Sequence, residues 1–276
     1  MGLRPTGSEM KRVVVVVLLL LYLLVWNAQG NKGKWADYYL SPAMPAPILQ
    51  IASGFAHQMA GFGLFVKVAI FSGGPLRGVD KMSYAPALAQ NFDVMAELYP
   101  DFIDIYYYGQ SFLAPISPQY AKRANALMDH GIVEYPDYLY FPFFKAFNYL
   151  YYLDQPTKAA EIFFDLSKRP DAPSWFGHLA GTLMGRGGNL IAGRAMLQAM
   201  HKAEQDDFMK KRYQTSIENF DRAIEVQKAL DRYRQEHGVD AATLDDLVPE
   251  YLEALPQFDA GFALAWEPPL LRLDRP

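Results

Sequence analysis

The stretch that most constrains this chain is Tyr138 to Tyr152, YLYFPFFKAFNYLYY, in which nine of fifteen residues are aromatic and only Lys145 and Asn148 are strongly polar. A helix this apolar cannot stand alone in water, so neighbouring elements must cover it. Past Tyr140 the only turn-former is Pro142. Proline is tolerated in a first turn, where its missing N–H has no intrahelical partner to lose, so the helix is expected to start near Phe141. After Asp154-Gln155-Pro156-Thr157 the run KAAEIFFDLSK reads as a second helix, with Ala159, Ile162, Phe163 and Leu166 on one face. The two form a helical hairpin. Such a unit buries one face internally and leaves another in need of neighbours, which predicts further copies along the chain.

Taking Ala159 as the small residue where two helices approach closely, comparable positions are Ala89, Ala124 and Gly193, at spacings of 35, 35 and 34 residues. Four residues after each come Asp93, Met128, Phe163 and Leu197, and seven after each come Ala96, Gly131, Leu166 and Met200. Pro100, Pro136 and Pro170 close the first three units. This pattern resembles the tetratricopeptide repeat, whose period is about 34 residues and whose second helix carries a small, a large apolar and another small residue before a proline. The resemblance covers roughly Ser83 to Gln205, with Asp93 departing from the apolar slot and the tryptophan and leucine-glycine of the first helix mostly missing. Gly109 and Phe112 fit the first-helix positions of the second unit if the turn LAPISPQ is longer than usual. The resemblance implies an all-α fold, a right-handed superhelical array of antiparallel helix pairs. It also implies a concave surface, lined by first helices, that binds extended peptides or partner helices.

With 276 residues, 51% of them hydrophobic, the chain is long enough to bury a sizeable core. A net charge of −4 and a pI near 5.7 give no basic footprint for nucleic acid. The absence of cysteine excludes disulfides, thiolate chemistry, zinc-thiolate sites and c-type haem. The N-terminus says more about compartment. Arg4, Lys11 and Arg12 precede an unbroken apolar run from Val13 to Trp26. As a helix this run spans about 21 Å, short of a hydrocarbon core of about 30 Å and suited to a signal-peptide core. Ala28-Gln29-Gly30 offers small residues for cleavage, whereas adding Ala28, with some thinning of the bilayer, allows the helix to stay as an anchor across residues 13–28. Either way the basic flank keeps the N-terminus in the cytoplasm and sends the rest of the chain across the membrane, anchored or secreted.

Residues 1–30 are thus read as a signal or signal-anchor, and 31–47 as a connector with Trp35, Tyr38 and Tyr39 suited to lipid headgroups. The repeat domain is assigned to 48–205. Its first helix, Ile48 to Phe71, is long enough to span a bilayer but contains His57, Gln58 and Lys67. A core helix tolerates a lysine that reaches solvent better than a membrane helix does, so this segment is read as a core helix packing on the Ala89 helix. Gly54, Gly61 and Gly63 are expected to mark close helix contacts, with Gly61 and Gly63 alternatively marking a kink. The glycine-rich Gly185–Asn189 lacks the Gly-Lys-Ser/Thr ending of a phosphate loop and reads as a turn between helices. Residues 206–238 form a long amphipathic capping helix with Tyr213, Ile217, Phe220, Ile224 and Tyr233 near one stripe, ended by Gly238. In 239–276, Thr243 to Asp246 resembles a capping box, Phe262, Leu264 and Trp266 alternate as in a short strand or hairpin, and the last residues are expected to be loose.

Chemistry is sparse. The histidines, His57, His130, His178, His201 and His237, fall in separate segments without ligand spacing, so no metal and no cofactor are expected. No Gly-x-Ser-x-Gly or Ser-x-x-Lys motif is present. The candidate partner-binding face lies on the first helices of units two and three: Tyr106, Tyr107, Tyr108, Gln110, Lys145, Asn148, Tyr149 and Tyr152. Tyrosine combines contact area with a polar handle, which suits recognition of a protein or peptide. Lys145 and Asn148 are near each other on the helix, and burying them without partners is costly, so the face carrying them is expected to reach solvent or a groove. The sequence thus reads as a non-enzymatic, membrane-associated scaffold whose repeat domain faces the periplasm, of the sort that accompanies bacterial envelope machinery. The competing readings are a glycan- or peptidoglycan-type hydrolase with an aromatic-lined groove, and a transport component using Ile48 to Phe71 as a second membrane span.

Overall fold

A computed structural model describes residues 14–24, 39–74, 76 and 78–275. The basic flank at Arg4, Lys11 and Arg12, the cleavage-like Ala28-Gln29-Gly30, and the connector aromatics Trp35 and Tyr38 lie outside the described residues. Helix α1, Val14–Leu24, is apolar throughout and exposed at every position.

The long apolar segment is two helices. Residues Ala46–Ser53 form α2, and His57–Ser72 form α3, joined by a 3-10 turn at Gly54–Ala56. The break falls at Gly54, whose φ of +54° is open to glycine but strained for other residues. The expected core helix is buried along one stripe only. Gly61 lies against the end of α4 (Lys81–Leu98), where a Cβ would sit 3.1 Å from the Tyr99 Cβ, and Val68 and Phe71 complete the buried contact. Gly54 and Gly63 face open space instead of a neighbour. Lys67 is half-buried and is not free in solvent. Its Nζ turns inward and donates to the Ser41 carbonyl at 2.6 Å and to Asn91 Oδ1 at 3.2 Å. The opposite side carries Ile48, Ile51, Phe55, Met59, Phe62, Val66 and Ile70, an exposed stripe at three- and four-residue spacing that contains no charge.

From α3 onward, consecutive helices pack on one another: α4 (Lys81–Leu98), α5 (Ile103–Leu113), α6 (Pro118–Glu134), α7 (Tyr140–Tyr151), α8 (Pro156–Leu166), α9 (Trp175–Arg186), α10 (Leu190–Ala203) and α11 (Asp207–His237). Ala89, Ala124, Ala159 and Gly193 lie on α4, α6, α8 and α10, and all four are buried. At Gly193 the helices approach closely: a Cβ there would stand 2.9 Å from the Gly181 carbonyl of α9. Met128, Phe163 and Leu197 are buried at the next position, whereas Asp93 stays half exposed and pairs with Arg123 of α6. Phe92 beside it is fully buried and supplies the apolar contact.

Helix α7 explains why its sequence is so aromatic: it is packed on both sides. Phe141 meets the rings of Tyr106 and Tyr138 at 5.2 and 5.0 Å, within the core that runs from α3 to α7. Phe143 meets Phe163 and Phe176, both at 5.9 Å, within the core that continues to α10. Each such pair adds about 0.5–1.5 kcal/mol beyond its area burial.

The C-terminal part builds a third core. Asp206 caps α11 by accepting from Met209 N–H at 2.8 Å, and Gly238 ends it at φ +71°. A 3-10 turn, Leu244–Leu247, opens on a capping box formed by Thr243 and Asp246. An antiparallel hairpin follows, β1 (Ala263–Glu267) and β2 (Leu270–Asp274). The last strand is therefore not loose: Leu271 and Leu273 are buried, and β2 packs on α9 and α11. The alternation LLRLD puts two leucines on one face of a strand, and a core strand is held by that burial. Among the described residues the molecule is thus mostly helical with one small hairpin.

Candidate functional site

The residues expected to form one groove on α5 and α7 point in different directions. Tyr106 is fully buried, and its hydroxyl donates to the Pro100 carbonyl at 2.7 Å. Burial raises its pKa first, with Glu134, Tyr135 and Asp101 adding to the shift, so it stays protonated. Tyr107 is half buried with its hydroxyl on Tyr138. Tyr108 is exposed and turns its ring edge to Phe65 of α3 at 5.1 Å. Tyr149 lies between α7 and α8 under the Lys158 ammonium, and Tyr152 packs on Phe147. Lys145 reaches the solvent side, where it pairs with Asp129.

Gln110 and Asn148 correct the sequence reading most directly. Both are buried, and they belong to a polar relay across three helices. Gln110 Nε2 donates to Asn148 Oδ1 at 3.2 Å, and Asn148 Nδ2 donates to Asn125 Oδ1 at 3.0 Å. The penalty for burying an amide applies only when it lacks partners; the network supplies them to Gln110 and Asn148, while Asn125 Nδ2 at its end has none. Tyr106, Gln110 and Asn148 are therefore core residues, because α5 and α7 are each covered on two sides by neighbouring helices.

A different set of residues does converge. Two cavities, of about 350 and 500 Å³, share a wall made by His178 of α9, Arg212 of α11 and Arg275 just past β2. The first is completed by Trp175, Leu179, Thr182, Arg186 and Asp274, among others, and the second by Phe208, Lys211, Thr215, Ser216 and Phe262. His178 is 6% exposed, and its Nε2 lies 2.9 Å from Ser216 Oγ. Burial, then the charges of Arg212 and Arg275, push its pKa down to about 4, so the ring is neutral at pH 7. Arg186 leans on Asp274 at 3.9 Å. The guanidinium of Arg275 lies 5.8 Å from the Phe262 ring centre. The cleft is thus a cationic trough with aromatic walls, in a chain whose net charge is negative.

Sequence reasoning missed this site because α9, α11 and the last strand meet only in three dimensions. One local signal was present. Lys210, Lys211 and Arg212 are three consecutive cations early in α11, which concentrates positive charge at one place on the helix. Among the described residues, no group of three or more His, Asp or Glu could hold a metal ion. No protein-family model matches the chain, and no curated protein or solved structure matches it either.

Proposed function

We propose that the protein is a non-enzymatic, membrane-associated scaffold, built as a tetratricopeptide-like array of helix pairs, that holds a protein or peptide partner on the extracytoplasmic side. The observation that carries the reading is the recurrence of a small buried residue at one place on alternate helices, Ala89, Ala124, Ala159 and Gly193. Units stacked through such contacts present an extended surface, which suits partner capture. Membrane association is supported by the exposed apolar helix α1 and by the uncharged stripe from Ile48 to Ile70.

That stripe also favours a second reading, in which α2 and α3 together cross the bilayer. Ala46–Ser72 is 27 residues long with mean hydropathy of 1.3 over its most apolar window. Against it stands Lys67, which is bonded to Asn91 and Ser41 on the side facing α4. Reporters active only outside the cytoplasm, fused after Met44 and after Gln205, decide between the two. The scaffold reading expects activity at both junctions. Activity at Met44 with none at Gln205 establishes the second span, and none at either junction overturns the export of the chain. Identification of what co-purifies with the detergent-solubilised protein then tests the scaffold role itself.

A further inference from the structure

We infer that the cleft around His178, Arg212 and Arg275 binds an acidic segment of a partner protein, its carboxylates on the two arginines and its apolar side chains against Trp175 and Phe208. This deepens the scaffold reading and rests on it for the kind of partner.

The charge pattern carries the argument. Among the described residues, Arg123, Arg169, Arg186, Arg194, Arg222, Arg234 and Arg272 each have a carboxylate partner, and Arg232 donates to the Tyr251 carbonyl. Of the described arginines, only Arg212 and Arg275 have neither at their guanidiniums, and both line the same cleft. Two like charges brought together beside apolar walls repel, and an incoming anion relieves that repulsion. The planar guanidinium fork matches a carboxylate in two parallel hydrogen bonds, and Lys211 adds a third cation to the second cavity.

The shape narrows the ligand. Trp175, 45% exposed, stands in one cavity, and Phe208, 70% exposed, in the other, with the arginines in the wall between them. An extended peptide laid through both meets aromatic surface at each end and cations in the middle. Polyanions that spread beyond the cleft, such as nucleic acid or an anionic bilayer, meet a chain whose net charge is −4.

The test uses the intact chain in detergent and a short fluorescein-labelled peptide of alternating glutamate and leucine, with its glutamine counterpart as control. The glutamate peptide should bind and the glutamine peptide should not. Arg212→Ala and Arg275→Ala should each weaken binding about tenfold or more, while Lys228→Ala, a cation away from the cleft, should leave it unchanged. If an alanine variant melts lower than the parent, Arg212→Gln and Arg275→Gln replace it and the same loss is expected at an unchanged melting temperature. Equal binding of both peptides, or full binding by both arginine variants, overturns the assignment. So does arginine-dependent binding of phosphatidylglycerol vesicles without binding of the peptide. A partner that co-purifies undiminished with the Arg212→Ala/Arg275→Ala double variant also overturns the cleft while leaving the scaffold in place. Arginine-dependent peptide binding with no co-purifying partner supports the cleft and counts against the scaffold.

Discussion

Asn148 shows how much a single residue's meaning depends on what it touches. Its amide is bonded on both sides, to Gln110 and Asn125, in a buried relay. Asn148→Ala leaves the Gln110 donor and the Asn125 acceptor unpaired and should cost about 1–3 kcal/mol in chemical denaturation. Lys145→Ala, three residues away, removes an ion pair whose Asp129 partner is 54% exposed and should cost about 1 kcal/mol or less. Equal losses would refute the buried relay. His178 makes a second case, with a pH signature. In the unfolded chain it protonates near 6.5, whereas in the fold it resists protonation down to about 4. Above pH 6.5 neither state carries the proton and no penalty applies. As pH falls from 6.5 to about 4, the unfolded state takes up the proton first, and stability should drop by roughly 3 kcal/mol on this account. The stability gap between the parent and His178→Gln should therefore shift against the parent across that window. A gap independent of pH would refute it.

At the scale of elements, the small residues on α4, α6, α8 and α10 set how closely helices approach. Ala124 and Ala159 have no exposed surface. Ala124→Leu or Ala159→Leu inserts three carbons into a filled contact and should cost about 1–3 kcal/mol. Lys158→Leu, on the exposed side of α8, should change little. Unfolding midpoints that fail to separate Ala159→Leu from Lys158→Leu would count against this helix register. The same logic explains α7. Its aromatics are spent on two sets of helix contacts, which leaves few of them free for a ligand.

Among the described residues, three large cores succeed one another from α3 to the terminal hairpin, beside a small cluster of Ala43, Ala46, Val94 and Leu98, and the last of the three depends on the final strand. Leu273 is fully buried, and the Leu273 carbonyl lies close to Gly185 of α9. Leu273→Ala should therefore cost about 2–5 kcal/mol, as for any buried leucine truncated to alanine. A loss below about 0.5 kcal/mol would show that the hairpin is not part of the cooperative unit. Because β2 also leads into Arg275, this variant should loosen the cationic cleft along with the core.

The sequence by itself determined the helical character of the chain, the hairpin from α7 to α8 and the positions of the small buried residues. It also set the ends of α11, at Asp206 and Gly238. These rest on local rules: periodicity, capping and the tolerance of proline in a first turn act within a few residues. Tertiary structure alone decided which polar groups in α5 and α7 are buried, that Lys67 turns inward, and that the last strand is held by its leucines. It also brought Arg212, Arg275 and His178 into one cleft. Those outcomes depend on partners 23 to 97 residues away along the chain. An amide or a guanidinium carries the same chemistry in either setting, and only its neighbours in space determine whether it is satisfied, exposed or left waiting for a counter-charge.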